Sequence, residues 1–186
     1  MTEEYDPRDP LFIQVGRALS TWSTIESILE FYFQFLLGAK DAQTAQVVFS
    51  TMGFVQKRES INDLILHHNG RIPDPELLNQ WETIYGNLVN QYKSRNKLAH
   101  WQYISVADGK NPEKVKPMIV RSMMDQRHVD VSKRRWPEIY KGSLDENAVA
   151  GIVKNYSKTV SLLMKFQIVL IRYLSETKAD PTIIPR

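Results

Sequence analysis

Three runs of apolar residues spaced three and four apart decide most of what this chain can become. The first holds Leu11, Val15, Ala18, Trp22, Ile25, Leu29, Phe33 and Leu36, about seven helical turns. In the second, Trp81, Ile84, Leu88, Tyr92 and Ala99 all fall within about 60° of Leu77 at 100° per residue. The third holds Val149, Ile152, Val153, Tyr156, Val160, Leu163, Phe166, Leu170 and Tyr173, and is long enough to pack along both of the others. Each run winds an apolar stripe along an α-helix, and such stripes must be buried against one another.

Punctuation sets the remaining elements. Asp9-Pro10 suits the opening of the first helix and Gly38 its end. Asp41 can cap a shorter helix carrying Ala45, Val48, Phe49 and Met52, closed by Gly53. A third helical run goes from Phe54 to about His68, with Ile61, Leu64 and Ile65 inward and Lys57, Arg58 and Glu59 outward. His67 and His68, adjacent and so about 100° apart, read as surface residues at a helix end that cannot share a metal. Asn69-Gly70, Pro73 and Pro75 mark the turn before the helix that starts at Asp74. After His100 the pattern changes to two short β-rich segments, 103–106 and 118–121, around the turn-rich stretch 107–112. The polar, basic section 125–143 reads as an exposed connection, and the tail 178–186, with two prolines, as a frayed end. The expected fold is all-α: an antiparallel bundle of about five helices with a small β-hairpin inserted before the C-terminal helix. It is expected as one domain, with its core over 10–175, the hairpin and basic connection over 101–143, and the tail beyond 178.

Composition excludes several classes. There is no cysteine, so disulfide frameworks, thiolate metal sites and a cysteine nucleophile are out, and a reducing cytosol is compatible. The acidic start, Met1-Thr2-Glu3-Glu4, lacks the basic-then-apolar order of a signal peptide, and the longest apolar runs, such as 31–37, are far too short for a bilayer. A soluble, cytoplasmic protein without a membrane partner is expected. Net charge is +3, but residues 110–141 carry nine Lys/Arg against four Asp/Glu, a local +5. That segment suits phosphate contacts or, equally, a solvated loop. No glycine-rich phosphate loop, metal-ligand spacing or serine nucleophile elbow is present, and neither a metal nor a cofactor is expected.

One place breaks the binary pattern with groups able to do chemistry. Arg95 lies on the apolar line of the second long helix, while Asn96 and His100, four apart, share its flank. A guanidinium there needs an acceptor, since burying it unpaired costs several kcal/mol. Glu26, about 60° off the first stripe, is either an interface-edge carboxylate or a partner for Arg95 and a tuner of His100. Two accounts stay open. Either Arg95 bridges to Glu26 with His100 at the helix C-terminus, where a cationic imidazole is favoured, or the group is a site. Residues five apart on a regular helix point about 140° away from each other. Arg95 and His100 therefore meet at one phosphate only if the helix distorts or a second subunit completes the site.

The segment Arg95-Asn96-Lys97-Leu98-Ala99-His100 resembles the R-x4-H motif of the HEPN superfamily, in its form with a polar residue after the arginine. The first helix, with Trp22-Ser23-Thr24-Ile25-Glu26, is similar to the W-x-x-x-E opening helix of one bacterial group of these proteins. The resemblance implies an all-α bundle that dimerises and brings two motif copies together. It implies RNA as partner, and for many members metal-independent ribonuclease activity, with toxin or defence roles and a cognate antitoxin or regulatory protein. On that carry-over His100 is general base or acid, Arg95 stabilises charge on the phosphate, Asn96 orients one or the other, and Glu26 belongs to the site. Lys97, Lys133, Arg134 and Arg135 are the RNA-binding candidates. One departure stands out: toxins whose tyrosine two residues after the histidine is modified have their counterpart here in Gln102, with Tyr103 a step later. The expected function is thus an RNA-binding protein leaning to endoribonuclease, with a non-catalytic interaction or nucleotide-binding module as the alternative.

Overall fold

The computed structural model describes the main chain of residues 9–38, 41–71, 73–108, 111–120 and 143–179. Within them the elements run α1 (Asp9–Leu37), α2 (Ala42–Thr51), α3 (Phe54–Arg71), α4 (Pro75–His100), β1 (Gln102–Asp108), β2 (Asn111–Val120) and α5 (Glu146–Ala179). The fold is an all-α bundle carrying one two-stranded antiparallel sheet.

Aspartates start three of the helices. Asp41 Oδ1 accepts the Gln43 N–H at 3.0 Å ahead of α2. Asp74 Oδ1 accepts those of Glu76 and Leu77 at 2.9 and 3.0 Å ahead of α4. Asp145 Oδ1 accepts that of Ala148 at 2.8 Å ahead of α5. Each bond satisfies a helix-end donor that has no partner within the helix, worth roughly 1 kcal/mol. Gly38, at φ 59°, ends α1 in the left-handed region and gives its N–H to Phe35 O at 3.1 Å.

The chain divides into two compact units, Met1–Trp22 with Gln91–Tyr156, and Ser23–Asn90 with Ser157–Arg186. In the second, Glu26 of α1 pairs with Lys57 of α3, and Leu36 O of α1 with His68 Nε2 of α3, so these helices run in the same direction with α2 between them. Helix α4 opposes α3, since Trp81 Nε1 donates to Asn62 Oδ1 at 3.1 Å and the Tyr85 hydroxyl to Glu59. Its core is aromatic: Trp81 lies 5.6 Å from Phe166 and Tyr32 5.7 Å from Phe166, ring to ring. The Tyr32 hydroxyl donates to Leu163 O. In the first unit, Trp22 sits 6.3 Å from Tyr92 and 5.2 Å from Tyr156. The Tyr156 hydroxyl donates to Gln91 O at 3.3 Å, and Gln91 Nε2 donates to Asn155 O at 3.2 Å.

Several side chains sit differently from the sequence expectation. The buried seam of α4 follows alternating steps of four and three through Leu77, Trp81, Ile84 and Leu88 to a buried Leu98, and leaves Ala99 exposed. A period of 3.5 rather than 3.6 drifts about 20° per heptad, which over this length moves the seam by one residue. Arg58, expected outward, is only 8% exposed. Lys57 also turns inward, its amine 3.7 Å from Glu26 and 4.9 Å from the Phe49 ring centroid. Val48, expected on the apolar face of α2, is exposed, and Ala45 and Phe49 are the residues that helix buries. His68 is half-buried rather than free at the surface: its ring meets Leu36 O at 2.9 Å, and its own carbonyl accepts the Tyr173 hydroxyl at 2.8 Å.

The hairpin forms where expected, but β2 begins at Asn111, well before Met118. Gln102 pairs with Val120 and Tyr103 with Ile119, and the register shifts between Ala107 and Asp108. Ile119 and Leu144 then exchange two backbone hydrogen bonds of 2.8 and 2.9 Å, returning the chain to β2 just before α5. The basic stretch 121–142 and residues 180–186 lie outside the described residues. Among the described residues, no helix is long and apolar enough to cross a membrane.

Candidate functional site

The end of α4 carries the groups that the sequence singles out. The seam that buries Leu88 and Leu98 passes through Gln91 and Arg95, so Arg95 is half-buried while His100 is exposed. Arg95 Nη1 donates to Asn96 Oδ1 at 3.4 Å, the long end of the hydrogen-bonding range. A guanidinium has five N–H donors, and among the described residues this bond engages one of them. Arg95 also acts on the buried Tyr156: burial pushes that phenol's pKa up, and the Arg95 cation pulls it partly back.

The helix stays regular to its end. Trp101 N–H reaches Lys97 O at 2.9 Å, the spacing of an ordinary α-turn. The side chains of Arg95 and His100 therefore leave the axis about 140° apart, and no helix distortion brings them together. Lys97, expected to bind RNA, holds its amine 4.9 Å from the centre of the Trp101 ring. Glu26 lies in the second unit, with Lys57 as its neighbouring cation at 3.7 Å. Lys133, Arg134 and Arg135 lie outside the described residues.

One polar cluster escaped the sequence reading. Arg58 Nη2 donates to Glu59 Oε1 at 2.5 Å, its guanidinium lies 5.0 Å from the Tyr85 ring centroid, and the Tyr85 hydroxyl sits 2.9 and 2.8 Å from the two Glu59 oxygens. Arg58 Nε is buried without a hydrogen-bond partner among the described residues. The Arg58 hydrogen bond, then that of Tyr85, holds the Glu59 carboxyl below the usual carboxylate range. No spacing rule flags this group, because Arg58 and Glu59 are adjacent and read as a solvated charge pair.

The cluster makes a checkable statement about linkage. A depressed carboxylate pKa adds stability at neutral pH, which is lost as pH falls through the folded value. Arg58→Met should raise the Glu59 midpoint toward an ordinary carboxylate, as followed by carbonyl NMR, and weaken that acid-side dependence. Net stability at pH 7 should change by less than about 1 kcal/mol, because Glu59 can rehydrate and a buried ion is exchanged for an apolar stem. An unmoved midpoint would contradict the assignment.

Among the described residues, no three His, Asp, Glu or Cys side chains are grouped to hold a metal ion. Comparisons with family models, with curated proteins and with solved structures each return no match to this chain.

Proposed function

We propose that this protein is a HEPN-like RNA-binding protein that cleaves RNA without a metal at a site completed by a second copy of the chain. The observation that carries this reading is an exposed His100 at the last turn of α4, following a half-buried Arg95 that, among the described residues, gives one hydrogen bond, to Asn96. Histidine exchanges a proton near neutral pH, so His100 can take the proton of a ribose 2′-hydroxyl. The oxygen then attacks the neighbouring phosphorus and displaces the 5′-oxygen, which needs a proton in turn. A fixed guanidinium stabilises the charge that develops between those events. Because Arg95 and His100 diverge on a regular helix, one chain supplies half of this arrangement. A dimer supplies the second histidine as proton donor. A cognate regulatory protein belongs to the same reading, as does a role in toxin or defence systems.

Purified protein incubated with RNA in excess chelator tests it, beside His100→Ala and Arg95→Ala. Wild type should cleave, and each variant should lose at least about a hundredfold in rate. Identical substrate in all three reactions would sink the nuclease assignment. The rival reading is a non-catalytic helical module, and the place of Arg95 in the seam beside Tyr156 favours it. It expects Arg95→Ala to lower thermal stability and His100→Ala to change nothing.

A further inference from the structure

Phe12, on the first turn of α1, is 48% exposed although its ring lies flat on Tyr103 of β1, with centroids 4.1 Å apart and planes 7° from parallel. Aromatic pairs left to themselves favour offset or edge-on contacts at 4.5–7 Å. This pair is a close parallel stack in which Phe12 is exposed and Tyr103 half-buried. Trp101 lies two residues before Tyr103, roughly 7 Å along an extended chain, and carries the Lys97 amine against its half-exposed ring. His100 is the residue before Trp101. The Phe12–Tyr103 stack and the Lys97–Trp101 pair thus belong to the same unit as His100, and Lys97, Trp101 and Tyr103 lie within three residues of it along the chain.

Gly16 supplies a second, independent observation. It sits one turn after Phe12 in the interior of α1, where glycine is the poorest choice after proline. No packing demands it, since a Cβ there would meet nothing within 4 Å. Helical side chains lean toward the N-terminus, so any larger residue at 16 would lie over the turn that carries Phe12. Glycine at this position keeps the flank of that ring uncovered.

We propose that Phe12, Tyr103 and Trp101 form a stacking platform for unpaired nucleobases of RNA, placed so that a stacked strand runs past His100. The proposal rests on the RNA-binding reading and deepens it, because it makes the preferred ligand a base-bearing single strand. Every base has a π-face, so such a platform tolerates sequence, while Lys97 draws the backbone. Duplex RNA, whose bases are already stacked on one another, gains nothing from it.

Fluorescence anisotropy with the full chain tests this, using 2′-O-methyl oligoadenylate, which the 2′-hydroxyl chemistry cannot cleave, and an abasic strand of equal length. Wild type should bind the base-bearing strand about tenfold or more tightly than the abasic one. Phe12→Ala and Gly16→Leu should each remove that advantage and leave abasic binding and its salt dependence as they were. Gly16→Leu guards against a folding artefact, since leucine is the better helix former and meets no neighbour at its Cβ. Equal affinity for the two strands, or a Gly16→Leu variant that binds like wild type, overturns the platform and leaves RNA binding standing. Failure to bind either strand overturns both.

Discussion

Trp81→Ala should destabilise the protein by about 3–5 kcal/mol, enough to consume most of the stability of an ordinary domain. The indole is fully buried, lies tilted against the rings of Tyr85 and Phe166, and gives its N–H to Asn62. Truncation removes the largest fully buried side chain among the described residues and leaves a cavity that α4 cannot close without losing its Leu77 and Ile84 contacts. Trp81→Phe should recover more than half of the loss, because a ring still fills the space while the hydrogen bond to Asn62 is gone. Urea unfolding reads both variants, the midpoint falling at constant slope. A loss below about 1 kcal/mol for alanine would mean that this face of α4 is not packed as described.

Alkaline solution should unfold the protein steeply above about pH 10, where an unfolded tyrosine begins to ionise. Tyr32 and Tyr156 are both fully buried, and burial raises each phenol well above its ordinary pKa. The folded chain then holds protons that the unfolded chain releases. Stability from these groups is complete below pH 10 and falls as pH rises through it, by about 1.4 kcal/mol per pH unit for each tyrosine. The two together give roughly 2.7 kcal/mol per unit. Thermal melts between pH 8 and 12 measure the slope, and tyrosinate absorbance should appear with unfolding rather than before it. Tyr32→Phe and Tyr156→Phe should each lower the slope by about 1.4 kcal/mol per unit, despite losing hydrogen bonds to Leu163 O and Gln91 O. Two phenols that titrate in the folded state at pH 10 would contradict their burial.

The helices were legible because their signals are local. Asp41 caps α2 as its position suggests, and the apolar spacing names most of the buried residues, from Leu11 to Tyr173. What the sequence hid depends on neighbours far along the chain. Arg58 reads as a surface charge until Tyr85, on another helix, lies against its guanidinium. His68 reads as a helix-end surface residue until Leu36 and Tyr173 meet it from two sides. The shift from Ala99 to Leu98 arises because packed helices keep a 3.5-residue seam that a 100° wheel does not follow. For the candidate site, the flank shared by Arg95, Asn96 and His100 could be read from spacing. The Phe12–Tyr103 stack could not, because Phe12 reaches Tyr103 only through the placement of the hairpin.

The paired hydrogen bonds between Ile119 and Leu144 have an engineering consequence. They hold Ile119 and Leu144, which flank 121–142 in sequence, together at the hairpin edge, as a socket holds both pins of a plug. Doubling the length of whatever spans that socket costs only about 0.6 kcal/mol in closure entropy. The bundle should therefore accept a shorter, longer or foreign segment there, and its basic insert can be exchanged as a cassette while α4, the hairpin and α5 keep their places.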